Sequence, residues 1–280
     1  MNETKKMSKN EIDSLKEKMQ PYILKESQPP YTYYQIKCQE CTITAYTSGK
    51  VVFQGQDLSW LKKEEKPLRQ IFPQAGSDEV GTGDYFGPVV VAGCILNSEN
   101  QAFLSKYPIQ DSKQLSDLDT KKLANIIKEN SKYSICICSS LKYNQVHEKH
   151  NMVDIKCLLH NQVYINLMHK GYSLPDFIVI DQFTPEKSYY RYLKDEKEVI
   201  QGIHFETKAE NKYLSVACAS ILARNAFLEV WEQMEKKYQF SFHKGAGPQV
   251  DQCARNFVRQ FGQDELKNVC KLHFKNTQKI

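Results

Sequence analysis

Asp78 and Glu79 stand side by side just ahead of Gly81-Thr82-Gly83, in the stretch AGSDEVGTGDYFGPVVVAG over residues 75–93. Adjacent carboxylates repel each other and lose hydration when buried, so a strand end that keeps two of them usually holds a cation there, most often a divalent metal. The plain alternative is a solvated acidic pair in a loop. Two more acids fall at expected element ends. Asp181 closes the run Phe177-Ile178-Val179-Ile180, and an ionised group after four apolar residues is costly unless it reaches the rim of a sheet. Glu210 opens a long helical pattern behind Lys208-Ala209, where the alternative is a charge favoured by the helix N-terminus. Four carboxylates on one sheet edge need cations, and two divalent ions about 4 Å apart would neutralise them and clamp a phosphoryl group in transfer.

These acids require a scaffold of strands and helices. Residues 1–20 read as a helix, with Ile12, Leu15, Met19, Tyr22 and Ile23 at helical spacing. Pro29-Pro30 breaks the chain, and residues 31–37, 41–46 and 50–54 form three short alternating runs. This predicts an antiparallel meander with a helix on one face, a small α+β domain over residues 1–70. Residues 57–68 are a charged helix or linker. The larger domain then covers 71–280. Strands are expected at 75–80 and 88–96 around a tight glycine loop, then at 133–139, 177–181 and 199–205. Helices are expected from a cap at Asp119 or Thr120 to Asn130, at 154–170, as one long element at 210–238, and at 250–261 after the loop His243–Pro248. That order implies an α/β fold, a mixed sheet flanked by helices on both faces.

Composition sets outer bounds. The 280 residues are 41% hydrophobic and 25% charged, which suits a soluble globular protein with a full core. No apolar run reaches the roughly 18–20 residues of a membrane span, and the charged N-terminus has no signal-peptide core. Nine scattered cysteines lack the spacing of a disulfide framework and point to a reducing cytoplasm. Cys38-Gln39-Glu40-Cys41 has no partner motif at zinc-site spacing and reads as a hairpin turn. A net charge of +5 is compatible with a polyanionic partner.

In order along the chain, GSDEVGTGDYFGPVVVAG, DSKQLSD, FIVID and TKAENKYLSVACASILARNAF resemble the motifs of prokaryotic type 2 ribonucleases H. Within them the chain resembles ribonuclease HIII, by the GDYFGP string, by Glu at position 210 and by the N-terminal module. The resemblance implies a ribonuclease H-like catalytic domain and a TATA-binding-protein-like substrate-binding domain. It implies a monomeric endonuclease that hydrolyses the RNA strand of RNA–DNA hybrids, leaving 5′-phosphate and 3′-hydroxyl ends. Asp78, Glu79, Asp181 and Glu210 would be catalytic and would bind two Mg²⁺ ions, with Mn²⁺ as an alternative. Gly81, Thr82 and Gly83 would read ribose by close backbone approach. Lys113 and Lys212 are candidate phosphate contacts, and Tyr46, Ser48, Lys50 and Gln54 candidate duplex contacts.

Two residues depart from the related enzymes. Thr82 stands where they carry a basic residue in the glycine loop. Ala246 stands where ribonuclease HII carries a Tyr that stacks at an RNA–DNA junction. Other readings are a binding module on the same fold without chemistry, against which the presence of all four acids argues, and a different nuclease or integrase.

Overall fold

The computed structural model describes residues 2–38, 41–55, 71–109 and 115–280. Lys113, residues 57–68 and the Gln39-Glu40 turn lie outside the described residues. The chain divides into two compact units, Met1–Pro67 and Leu68–Ile280.

The N-terminal unit consists of β1 (Asn2–Lys6), α1 (Lys9–Met19), β2 (Lys25–Ser27), β3 (Thr32–Lys37), β4 (Cys41–Tyr46) and β5 (Lys50–Gly55). Its antiparallel sheet has the order β1-β5-β4-β3-β2. The expected helix over residues 1–20 is corrected at its start. Ser8 and Glu11 form a reciprocal capping box that opens α1 at Lys9, which satisfies two otherwise orphaned N–H groups. The residues before it pair with β5, Lys6 opposite Lys50 and Thr4 opposite Val52.

Ile12 of α1 packs with Tyr34, Ile36, Ile43, Ala45, Val51 and Phe53 in a buried core on one face of this sheet. The Tyr34 hydroxyl donates to the Ile12 carbonyl at 2.9 Å. Strand register sets the other face. It carries Thr4, Lys6, Lys25, Ser27, Gln35, Lys37, Thr42, Thr44, Tyr46, Lys50, Val52 and Gln54. Glu3 and Glu26 pair with Phe53 and Ile36 and so share the helix-covered face. Among the described residues the open face has four lysines and no carboxylate.

The second unit has β6 (Gln74–Val80), β7 (Val89–Leu96), α2 (Ser98–Leu104), α3 (Asp117–Glu129), β8 (Lys132–Cys138), α4 (Ser140–His147), α5 (Met152–His169), β9 (Phe177–Asp181), α6 (Glu186–Tyr192), β10 (Ile203–Glu206), α7 (Leu214–Tyr238), α8 (Pro248–Phe261) and α9 (Leu266–Val269). Its sheet order is β10-β9-β6-β7-β8. β6, β9 and β10 run parallel, and β7 and β8 are antiparallel to their neighbours. β7 is buried throughout. Val90, Ala92, Cys94 and Leu96 belong to a core with α7, α3 and α8, while Val91 and Ile95 pack with α5. β6 and α7 approach so closely that a Cβ on Gly76 would lie 2.6 Å from the Val216 nitrogen; only glycine fits there.

Helices α5 and α8 begin two residues earlier than expected, at Met152 and Pro248, and three further boundaries differ for local reasons. α3 is capped by Ser116 rather than Asp119 or Thr120. The strand expected at 199–205 is only Ile203–Glu206, because the Ile200 N–H is taken by the Asn161 side chain and Gly202 turns with φ of 72°. The long helix begins at Leu214, and Glu210 lies in a separate one-turn 3₁₀ segment, Ala209–Asn211, entered through left-handed Lys208. α7 is long and apolar enough to cross a membrane, but most of it is buried in the core of this unit. All nine cysteines are free thiols.

Candidate active site

β6 and β9 are parallel and end at the same edge of the sheet. β6 delivers Asp78 and Glu79 there and β9 delivers Asp181. The 3₁₀ turn after β10 brings Glu210 to the same place, and the Ala209 N–H within it donates to Asp181 Oδ1 at 3.1 Å. These four acids line one pocket of about 420 Å³ together with Val80, Ser220 and Arg224. Strand alternation separates the adjacent pair. Asp78 turns toward α7, where the Ser220 hydroxyl bonds it. Glu79 turns toward α5, where Oε1 pairs with Lys156 and Oε2 lies 2.9 Å from His160 Nε2.

The two neighbours therefore differ in acidity. Burial, then the charge of Glu79, pushes Asp78 well above the carboxylate range. Burial also works to raise Glu79, but His160 and Lys156 outweigh it and hold the carboxyl down at about 2. Asp181 is raised by burial and by Glu210 and Glu79, against the bond from Ala209 N–H. Burial is the largest cause for both raised acids, with repulsion from neighbouring carboxylates added to it. Among the described residues no three His, Cys, Asp or Glu side chains form a ready ligand set for a metal; Glu79 is engaged by α5, and Asp181 by Ala209 and Glu210. The donor chemistry itself, four carboxylates, is that of a hard divalent cation.

The glycine loop borders this pocket. Gly81 has φ of 92°, and a Cβ there would run into the Pro88 carbonyl. Gly83 has open space around it and Thr82 is half-buried. The loop is held from behind. Tyr85 N–H donates to Gly245 O at 2.9 Å, and Gly245 N–H returns a bond to Asp84 Oδ1. Lys271 is fully buried and its ammonium donates to the carbonyls of Asp84 at 2.8 Å and Gly87 at 2.7 Å. The GDYFGP segment is thus the joint between the glycine loop, the His243–Pro248 loop and the C-terminal tail.

Arg224 is the basic residue of the pocket lining. Asp117 takes Arg224 at 2.8 Å and Lys244 at 3.2 Å; burial works to raise its carboxyl, and these two cations outweigh that and lower it. Lys212, a sequence candidate, directs its ammonium to Glu206 Oε1 at 2.6 Å and the Thr207 carbonyl at 2.8 Å. In the N-terminal unit Tyr46, Lys50 and Gln54 lie on the open face of the sheet, and Ser48 is exposed in the turn between β4 and β5. Ser220, Arg224, Lys156 and His160 were not anticipated. Polar residues four apart beside apolar ones on two helices, Ser220 with Arg224 and Lys156 with His160, are the signal that marks them.

The Ribonuclease HII family model matches residues 75–277, and the Domain of unknown function (DUF3378) model matches residues 2–64. The chain is 40% identical to ribonuclease HIII of Streptococcus gordonii over 97% of this chain and 95% of that one. It is 38% identical to ribonuclease HIII of Enterococcus faecalis over 98% and 96%. The crystal structure of Bst-RNase HIII in complex with Mn²⁺ superposes with a TM-score of 0.73 at 34% identity, covering 100% of this chain and 97% of that one. The chain belongs to the ribonuclease HIII family. Ribonuclease HIII enzymes are endonucleases that degrade the RNA of RNA–DNA hybrids, and membership makes this chain a ribonuclease H. The mixed sheet with a small antiparallel α+β unit ahead of it is the ribonuclease HIII architecture, shared over the full chain.

Proposed function

We propose that the unit from residue 71 to 280 hydrolyses the RNA strand of RNA–DNA hybrids at the pocket of Asp78, Glu79, Asp181 and Glu210, with two divalent ions during catalysis, leaving 5′-phosphate and 3′-hydroxyl ends. The observation that carries this reading is the convergence of four carboxylates from three elements on one pocket, with Asp78 and Asp181 raised first by burial and then by neighbouring carboxylates. That charge arrangement fits Mg²⁺ or Mn²⁺, and a relative has been solved with Mn²⁺. Bound divalent ions would supply Lewis-acid stabilisation of the phosphoryl oxygens and lower the pKa of water.

The chain's own residues orient the substrate. The backbone around Gly81 and Gly83 can approach a ribose closely enough to read its 2′-hydroxyl, the group that distinguishes RNA from DNA. Thr82 is compatible with backbone reading. Lys113 and Lys212 remain phosphate candidates in this reading, Lys212 by leaving Glu206. The N-terminal unit, residues 1–70, binds the hybrid duplex through its open face, with Tyr46, Ser48, Lys50 and Gln54 as contacts. Lysines without competing carboxylates suit a phosphate backbone.

A substrate panel tests the proposal: an RNA–DNA hybrid, double-stranded RNA, double-stranded DNA and DNA with one ribonucleotide, each with Mg²⁺ and with Mn²⁺. Cleavage of the hybrid alone or best, with 5′-phosphate ends on the products, is the expected result. Cleavage of all-DNA duplex at a comparable rate would overturn it.

A further inference from the structure

Helix α5 is mostly apolar and buried, yet it carries Lys156, His160 and Tyr164 at intervals of four. That spacing aligns them on one stripe, and the stripe faces β6. Lys156 pairs with Glu79 Oε1 and His160 Nε2 lies 2.9 Å from Glu79 Oε2. On its other side, His160 Nδ1 is 2.7 Å from Ser77 Oγ, which accepts from the Tyr164 hydroxyl at 2.9 Å. Ser77, His160 and Tyr164 are fully buried. Phe183 covers the group, with its ring stacked on His160 at 5.2 Å and Lys156 Nζ 3.8 Å from its centre.

Burying an ammonium and an imidazole beside a carboxylate costs more than apolar packing of the same volume. A hydrophobic helix face would serve the fold at least as well, so the stripe calls for a purpose at Glu79. An ionised carboxylate has about four lone-pair directions. Lys156 and His160 take one on each oxygen and leave the carboxyl plane no freedom to turn. Asp78, on the other face of the sheet, is bonded by the Ser220 hydroxyl and its neighbour's N–H.

We infer that Lys156 and His160 are positioning residues for the hydrolysis: together with Ser77 and Tyr164 they lock the Glu79 carboxylate, so that its remaining lone pairs stay directed into the acid pocket. This rests on the acid-pocket reading proposed above. Groups that orient a metal-binding side chain typically change metal affinity or activity by about 10–100-fold when removed.

The test uses the full chain and four variants, His160→Ala, His160→Gln, Lys156→Met and Lys156→Arg. Three quantities are measured on each: Mn²⁺ affinity of the protein without nucleic acid by calorimetric titration, kcat and KM on a hybrid, and the urea midpoint. His160→Ala and Lys156→Met should each weaken Mn²⁺ binding and lower kcat by about 10–100-fold, with KM for the hybrid within about twofold. His160→Gln, whose amide still donates, and Lys156→Arg, which keeps the cation, should recover most of both. A merely structural cluster would lower the urea midpoint and leave Mn²⁺ affinity and kcat of the folded protein unchanged, and that result overturns the inference. Because the alanine and methionine variants can fail to fold, ¹⁵N NMR of the imidazole in the wild-type protein supplies a second measurement. A proton on His160 Nε2 is expected, and an unprotonated Nε2 overturns the inference without any variant. Asp78→Asn separates the two readings: activity lost there but kept in the α5 variants removes this inference alone, whereas full activity in Asp78→Asn removes the acid pocket itself.

Discussion

Each unit is built on a five-stranded sheet, and the two sheets are used in opposite ways. In the N-terminal unit one face is covered by α1, and the other has no helix over it among the described residues and carries Lys, Thr, Gln and Tyr. In the larger unit both faces are covered and β7 is buried along its whole length. The acids stand on the edge where β6 and β9 end and line a pocket there. An open face offers many weak contacts to a long ligand, whereas an edge concentrates a few charges at one point. In the function proposed above, binding belongs to the first sheet and chemistry to the second.

The strongest way to break this assignment is at the edge. Asp78→Asn and, separately, Asp181→Asn keep shape and remove a charge that a divalent ion needs. Each should lower hybrid cleavage by at least about 10²–10³-fold, the scale on which a preorganised charge acts in a dry site, while hybrid binding measured by anisotropy stays within about twofold. Near-normal turnover of either variant at saturating metal would detach chemistry from the edge.

The rim loops are clamped, and this can be tested by stability. Lys271→Met removes the donor that serves the Asp84 and Gly87 carbonyls; Gly87 keeps the Ser140 hydroxyl at 3.1 Å, so the loss falls on the Asp84 carbonyl. Unsatisfied buried acceptors are costly, and loss of the buried charge returns only part of that. A net destabilisation of about 1–3 kcal/mol follows, read from urea unfolding. An unchanged midpoint would show that the glycine loop holds its shape without the C-terminal tail.

How the edge chooses its substrate is a finer matter. One embedded ribonucleotide offers a single 2′-hydroxyl, and an aromatic stack at the junction would add about 1–3 kcal/mol of recognition. Ala246 is exposed and has no ring, and its carbonyl is fixed by Asn276 at 3.0 Å. Tracts of about four or more ribonucleotides should be cut efficiently if the short glycine loop reads several riboses through its backbone, as proposed. A single ribonucleotide in Mg²⁺ should be cut at least roughly tenfold less well, equivalent to about 1.4 kcal/mol of transition-state stabilisation. Equal rates on the two substrates would contradict this reading of the loop.

Much of the edge was legible in the chain. Asp78, Glu79, Asp181 and Glu210 each sit at a break in a strand or helix pattern, and such breaks are local signals. The partners that tune them were not. Lys156 and His160 are hidden in an apolar helix, and their meaning depends on β6 lying opposite. The Lys271 clamp and the Gly245 bridge join segments far apart in sequence, which no local periodicity encodes. β1 shows the same limit: its five residues have no strand pattern, and only the free edge of β5 makes them one. The capping box at Ser8 and Glu11 was local and would have placed the start of α1 correctly.

The smallest effects, and the sharpest for the comparison, belong to the open face. Lys37 and Lys50 are exposed, and each shares the open face with uncharged or basic neighbours across the ladder, Thr42 beside Lys37 and Lys6 beside Lys50. If they meet phosphates, each contributes a sequence-independent increment to affinity that salt weakens. Lys37→Ala and Lys50→Ala should then raise KM for the hybrid by a few-fold each and leave kcat unchanged, the pattern of an interaction made equally in ground and transition states. The slope of log affinity against log salt should become shallower by about one per lysine removed. A control at Glu26, which pairs with Ile36 on the helix-covered face, should leave KM and slope where they were. Should kcat fall while KM holds, the open face would be taking part in the chemical step, and the division of labour between the two sheets would have to be given up.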